Sequence, residues 1–277
     1  MTERTIRNPI EWTSDKMRLA AEGAKSAISS VRSHDASPPV IRRIGVADVK
    51  DALAKGIEDF AACRTDVIFL SIVYPVIGLV LGRLALGQGM FQLMFPLASG
   101  FALVGPFLAI GLYEMSRRRE QGTTVSWADA FGVLGSPSSG AIAALGVILM
   151  AIFVLWLFAA EAIYELAFAG RQPASIGMFV HDVFLTPPGW VVIGVGIGVG
   201  FLFALLVLMI TVVSFPLLLD RKDVGLDGAI RTSVKAVLAN KSTMAVWGLI
   251  VAGSLVAGSI PLLLGLAFAF PVLGHAT

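Results

Sequence analysis

Charge is what this sequence has least of. Of its 277 residues, 14% are Asp, Glu, Lys or Arg, against about 25% in soluble globular domains. From Ser242 to Thr277 none of these four residue types occurs. The net charge is +2, which gives no electrostatic basis for binding nucleic acid. Cysteine is nearly missing. The single Cys63 excludes an internal disulfide and any site built from several thiolates. Histidine is scarce too: His34, His181 and His275 fall in an N-terminal linker, an outside loop and the last apolar stretch. A zinc site takes three or four ligands, and no HxxxH or HExxH spacing is present, so no metal and no cofactor are expected. A signal peptide is not visible either. Residues 1–16 contain Glu3, Arg4, Arg7, Glu11, Asp15 and Lys16 and lack an apolar centre.

What is abundant is apolar. Hydrophobic residues make up 56% of the chain and the mean hydropathy is +0.83. Lipid accepts such surface without penalty, provided that the backbone satisfies its own hydrogen bonds in helices. A bilayer core needs about 20 apolar residues in a helix. Val67–Leu86, Met90–Tyr113, Gly140–Ala160 and Trp190–Val213 meet that requirement. The charge-free run after Ser242 is broken at Gly258-Ser259-Ile260-Pro261 and reads as a fifth and a sixth span; one long tilted helix is the alternative. The fold class expected is therefore all-α, a polytopic transmembrane helix bundle of about six spans arranged as three hairpins. The first hairpin turns tightly at Gly87-Gln88-Gly89.

Lys and Arg set the orientation, because basic loops stay in the cytoplasm. Eleven lie before the first span, from Arg4 to Arg64. Arg117, Arg118 and Arg119 lie between spans two and three; Arg221, Lys222, Arg231, Lys235 and Lys241 lie between spans four and five. Only Arg171 sits between spans three and four. These regions agree on a cytoplasmic N-terminus. Tyr113, Tyr164 and Trp190 fall at span ends, where amphipathic rings prefer to sit.

A threefold pattern accompanies the spans. Before each hairpin the sequence predicts a short amphipathic helix on the cytoplasmic surface. The first aligns Val46, Val49, Leu53, Ile57 and Phe60. The second aligns Trp127, Ala130, Phe131 and Leu134, with Ser126 as its N-cap. The third aligns Leu226, Ile230, Val234 and Val237. Polar breakers follow: Arg64-Thr65-Asp66, Ser136-Pro137-Ser138-Ser139 and Asn240-Lys241-Ser242. Residues 46–277 are read as the membrane domain, with parallel repeats near 46–113, 125–189 and 224–277. Residues 1–45 form a polar tail with a candidate surface helix (Met17, Ala21, Ala24, Ile28, Val31) and a Ser37-Pro38-Pro39 linker. A short helix, Ser175–Phe184, is expected in the outside loop, stopped by Pro187-Pro188.

Chemistry-bearing residues are few. Glu114, Glu161 and Glu165 are placed near span ends, where water reaches them, and Arg83 snorkels. Gly194, Gly196, Gly198 and Gly200 sit inside an apolar span with no strand before them and no Lys after them. They do not form a phosphate loop. As small-xxx-small pairs, like Gly78 and Gly82, they are candidates for close helix packing, within the chain or between copies. Prolines follow aromatics at Tyr74-Pro75, Phe95-Pro96, Phe215-Pro216 and Phe270-Pro271, and Pro106 adds another interruption. Each removes one helix hydrogen bond, and broken helices can frame a transport site.

Several strings resemble a known family: Arg42-Arg43-Ile44-Gly45-Val46, Thr65-Asp66-Val67-Ile68-Phe69-Leu70, Tyr74-Pro75-Val76-Ile77-Gly78-Leu79-Val80, Gly105-Pro106-Phe107, Gly111-Leu112-Tyr113-Glu114-Met115-Ser116-Arg117-Arg118-Arg119, Ser214-Phe215-Pro216-Leu217-Leu218-Leu219-Asp220 and Pro271-Val272-Leu273-Gly274-His275-Ala276-Thr277. Over about residues 40–277 the chain resembles the proteobacterial integral membrane family called domain of unknown function 2189. The resemblance implies a bacterial inner-membrane protein and carries no activity with it. Family members continue past the His-Ala-Thr string into an aromatic and basic tail, so a sixth span without that anchor is expected here. The expected function is a non-enzymatic scaffold or assembly partner, touching membrane lipids and other membrane proteins or copies of itself. The alternative is a transporter or a lipid- or small-molecule-handling protein.

Overall fold

The computed structural model describes residues 39–87, 90–123, 125–260 and 265–276. The expected surface helix at Met17–Val31, His34, the Gln88-Gly89 turn and the turn at Pro261 lie outside those residues. The described residues form helices joined by short connections, with no strand among them.

Helix α1 runs from Val46 to Gly87, 42 residues without interruption. At 1.5 Å per residue that is about 63 Å. The expected surface helix and the expected first span are therefore one element. Arg64-Thr65-Asp66 interrupts the hydropathy but not the hydrogen-bond ladder, because none of the three is Gly or Pro and Thr or Asp costs a helix only a few tenths of a kcal/mol. The start is capped by Asp48, whose carboxylate accepts the Gly45 N–H at 2.7 Å.

The expected second span is helical but broken. A 3-10 turn, Phe91–Leu93, leads into α2 (Met94–Leu103), α3 (Gly105–Leu108) and α4 (Ile110–Glu120). Pro106 lies in the first turn of α3, where its missing N–H is harmless. The chain re-forms its bonds around the break: Ala109 N–H donates to Gly105 (2.8 Å) and Leu112 N–H to Ala109 (2.8 Å). The expected surface helix after it is a 3-10 helix, Trp127–Gly135. Asp129 closes its first turn by accepting the Ser126 N–H at 2.8 Å and hydroxyl at 3.1 Å.

Then follow α5 (Ser139–Phe168), α6 (Ile176–Leu185), α7 (Pro187–Thr211), α8 (Ser214–Asp220), α9 (Leu226–Ala239), α10 (Lys241–Ser259) and α11 (Leu266–His275). Helix α5 ends at Ala169 and Gly170, both left-handed, with Gly170 N–H returning to Glu165. Ser175 caps α6 by accepting the Met178 N–H at 3.2 Å, so the short helix expected at Ser175–Phe184 is present, one residue displaced at each end.

Three helical stretches among the described residues are long and apolar enough to cross a membrane: Ser139–Phe168, Pro187–Asp220 and Lys241–Ser259. The expected first span lies within α1, where most of its side chains fall outside the described residues. Helix α11 spans ten residues, about 15 Å, or half of a hydrocarbon core. It is too short to be the expected sixth span by itself. Among the described residues the fold is all-helical, with these three stretches as its candidate spans.

The core lies where α2, α5, α7, α8 and α9 meet, around Leu145, Leu149, Trp156, Phe215 and Leu218. A second packing unit joins α11 to α1. The fit is close at Gly56, where an added Cβ would come within 2.6 Å of the Val272 carbonyl oxygen. Phe60 meets Phe268 edge-on at 4.8 Å.

Candidate functional site

The described residues gather their polar side chains where α1, α4, α11 and the 3-10 helix come together. Helix α4 ends in Ser116, Arg117, Arg118 and Arg119, with Glu114 one turn earlier. Cations in a last turn suit the helix dipole, and spacings of three and four place Glu114 beside Arg117 and Arg118. Arg117 donates to both Glu114 oxygens (2.8 and 2.9 Å) and Arg118 Nε donates to Oε1 at 2.7 Å. Arg118 also pairs with Asp129 of the 3-10 helix. Glu114 is 4% exposed, so the expected water-bathed boundary carboxylate is in fact a buried one. Burial pushes its carboxyl up, but the bonds from Arg117 and Arg118 outweigh that and hold it below its ordinary value. Asp129 is also held low, by its bonds from the Ser126 backbone and hydroxyl.

A second set adjoins this one. Asp59 of α1 pairs with Arg119. The Ser116 hydroxyl donates to Asp59 Oδ2 at 2.5 Å and lies 2.5 Å from His275 Nδ1. A hydroxyl has one hydrogen, so with Asp59 as its acceptor the Nδ1–H of a neutral His275 donates to Ser116. His275 is 8% exposed. Burial pushes its imidazole down to about 4, against the pull of Asp59 and with the push of Arg119. Nδ1 to Asp59 is 3.9 Å, so the contact runs through the hydroxyl. Nε2 is buried without a hydrogen-bond partner.

These are the residue types of a nucleophilic triad in a different order. In a triad the imidazole stands between hydroxyl and carboxylate; here the hydroxyl stands between carboxylate and imidazole. The arrangement serves as a lock. It ties α11 and α1 to α4, and Arg118 ties α4 to the 3-10 helix.

The packing candidates separate. A Cβ on Gly82, Gly194, Gly196 or Gly198 would meet nothing within 4 Å. On Gly200 it would come within 3.1 Å of the Trp156 ring. Only Gly200 of the ladder makes a close approach inside the chain; Gly78 has a half-buried place in α1. Among the surface-helix residues, Leu53 packs beside Val49, Trp247 and Leu273, Phe60 against the cluster of Ala109, Leu112 and Met115, and Ile230 against the main core. Val234 is half-buried and Ile57 exposed. In the second, Ala130 and Val133 are buried and Phe131 is 54% exposed. The reason is the period. At three residues per turn, 130 and 133 share a side, whereas the α-helical spacing groups Phe131 with Ala130. The side chain of Trp127 lies outside the described residues.

At the far end of α5, Gln92 donates to Glu161 at 3.1 Å. Glu161 Oε2 is buried, so this carboxylate too departs from the solvated boundary expected. Trp156 Nε1 donates to the Pro96 carbonyl at 2.9 Å.

Residues 94–220 match the family model described as predicted integral membrane protein, domain of unknown function 2189. The resemblance seen in the sequence is thereby shown, over a shorter stretch than the motifs suggested. No curated protein and no solved structure matches the chain. The matched segment runs from α2 to α8 and contains Glu114, Ser116, Arg119 and Asp129. Asp59 and His275, which complete the lock, lie on either side of it. Sequence reasoning missed this convergence. Its one signal is Asp59, a half-buried carboxylate next in sequence to Phe60 of the apolar stripe.

Proposed function

We propose that this integral membrane protein is a non-enzymatic scaffold that assembles with other membrane proteins or with copies of itself. The observation that carries this reading is the state of α7. In the most apolar stretch of Pro187–Asp220, 6% is buried, against 33% for Ser139–Phe168 and 22% for Lys241–Ser259. Its outer side bears Gly194 and Gly198 beside exposed Trp190, Val191 and Phe201. A helix so little used by its own chain, with small residues outward, is suited to receive another helix. The polar residues at the lock are spent on one another and not on a passage. We place the protein in a bacterial inner membrane as a multi-pass protein with a cytoplasmic N-terminus, on the asymmetry of its basic loops.

The test is particle mass in mild detergent for the wild type and a Gly194→Leu/Gly198→Leu variant. The variant should lose assembly and keep its melting temperature, because neither new side chain meets anything in the chain. A monomeric wild type, or a variant that assembles unchanged, would sink the reading. A cleft of about 300 Å³ between α10 and α11, lined by Ser254, Gly258, Phe268 and Val272 and edged by Leu53, favours apolar-ligand or lipid handling as the second reading. Retention of a hydrophobic small molecule in that cleft through purification would support it.

A further inference from the structure

Asn240 holds a remote piece of chain. It joins α9 to α10, and its side chain has three partners. Oδ1 accepts the Ile44 N–H at 2.9 Å. Nδ2 donates to the Arg42 carbonyl at 3.1 Å and to the Ala236 carbonyl at 3.0 Å. Thr243 Oγ1 adds a bond to the Ile44 carbonyl at 2.9 Å. Residues 42–44 are thereby pinned, across nearly 200 residues of sequence, against the start of a candidate span.

The pinned piece carries Arg42 and Arg43, both exposed, and the next residue after Asn240 is exposed Lys241. Among the described residues no carboxylate pairs with any of these three cations. The nearest acidic residue in sequence, Asp48, is turned to the Gly45 N–H. Around them the surface is apolar: Val40 is 89% exposed, and Ile44, Val46 and Leu238 are exposed as well. A bilayer interface takes both, with acyl chains on the aliphatic groups and headgroup phosphates on the cations.

We propose that Arg42, Arg43 and Lys241, fixed by the Asn240 clamp where α10 enters the membrane, form a docking site for an anionic phospholipid headgroup. Charge complementarity names the occupant. A zwitterionic lipid would bring its own cation to a site that already holds three. The clamp makes it a site and not a diffuse attraction, because the backbone under Arg42 and Arg43 is ordered before any lipid arrives.

The test uses the full chain in nanodiscs of phosphatidylcholine with and without phosphatidylglycerol. Native mass spectrometry counts retained phosphatidylglycerol, and melting reads its effect. The wild type should retain the anionic lipid, with retention weakening as salt rises. Arg42→Gln/Arg43→Gln/Lys241→Gln should lose about tenfold or more in apparent affinity. A control removing the same charge elsewhere, Lys222→Gln/Arg231→Gln/Lys235→Gln, should keep it. Asn240→Ala retains every cation but frees the segment, and should fall between. Equal loss in the triple variant and the control would mean unspecific attraction and overturn the proposal. So would full competition by soluble glycerol phosphate, which would mark a free-anion pocket.

Discussion

His275 shows how a single residue acquires a role from its surroundings. Its ordinary value is 6.5 and burial brings it to about 4. The unfolded chain takes up a proton below 6.5, while the folded one resists until about 4. Stability from this group is therefore complete above 6.5 and declines as pH falls from 6.5 to about 4, by on the order of 3 kcal/mol. Asp59, Ser116 and Arg119 are the groups that face it. Melting in detergent across that range should fall more steeply for the wild type than for His275→Gln. Coincident slopes would mean that the imidazole is not held neutral. Glu114 acts in a separate range. Its carboxyl is held low, so its contribution is present above its ordinary 4.5 and is lost only below it.

At the scale of elements, backbone chemistry decided more than hydropathy. Neither the polar residues at Arg64-Thr65-Asp66 nor Pro75 broke α1, whereas the apolar run beside Pro106 is broken at Val104. The α7 glycines make the same point. All four look equivalent in sequence, yet Gly200 meets Trp156 and Gly196 meets nothing. Gly200→Leu should lower the melting temperature through overpacking, about 1–3 kcal/mol, and Gly196→Leu should leave it unchanged. A drop at Gly196 in a monomeric preparation would show that the helix is more enclosed than its surface suggests.

For the whole molecule the testable property is orientation. The asymmetry of the basic loops predicts that residues near 128 lie inside and those near 174 outside. Ala128 and Ala174 are both exposed, whereas Ala130, a natural first choice from sequence, is buried and would label poorly from either side. Single cysteines at Ala128 and Ala174 in a Cys63→Ser background should differ, with only Ala174 labelled by an impermeant reagent on intact cells. Labelling at Ala128 alone would reverse the topology.

Composition by itself determined that the chain is helical and belongs in a membrane. The stretches Ser139–Phe168, Pro187–Asp220 and Lys241–Ser259 were legible because span length and lack of charge are local properties. The short helix after Ser175 and its stop before Pro187 were legible for the same reason. The lock was not. Asp59, Ser116 and His275 are separated by 57 and 159 residues, and no local period reports that α11 turns back along α1. The side of the 3-10 helix that is buried depended on three residues per turn in place of 3.6, a choice made where Asp129 is drawn to Arg118 and Ser126. Which glycine meets a neighbour was settled by the placement of Trp156. Pairwise packing over long separations decided these features, because burial and charge pairing depend on the neighbours a residue finds and not on the residues beside it in the chain.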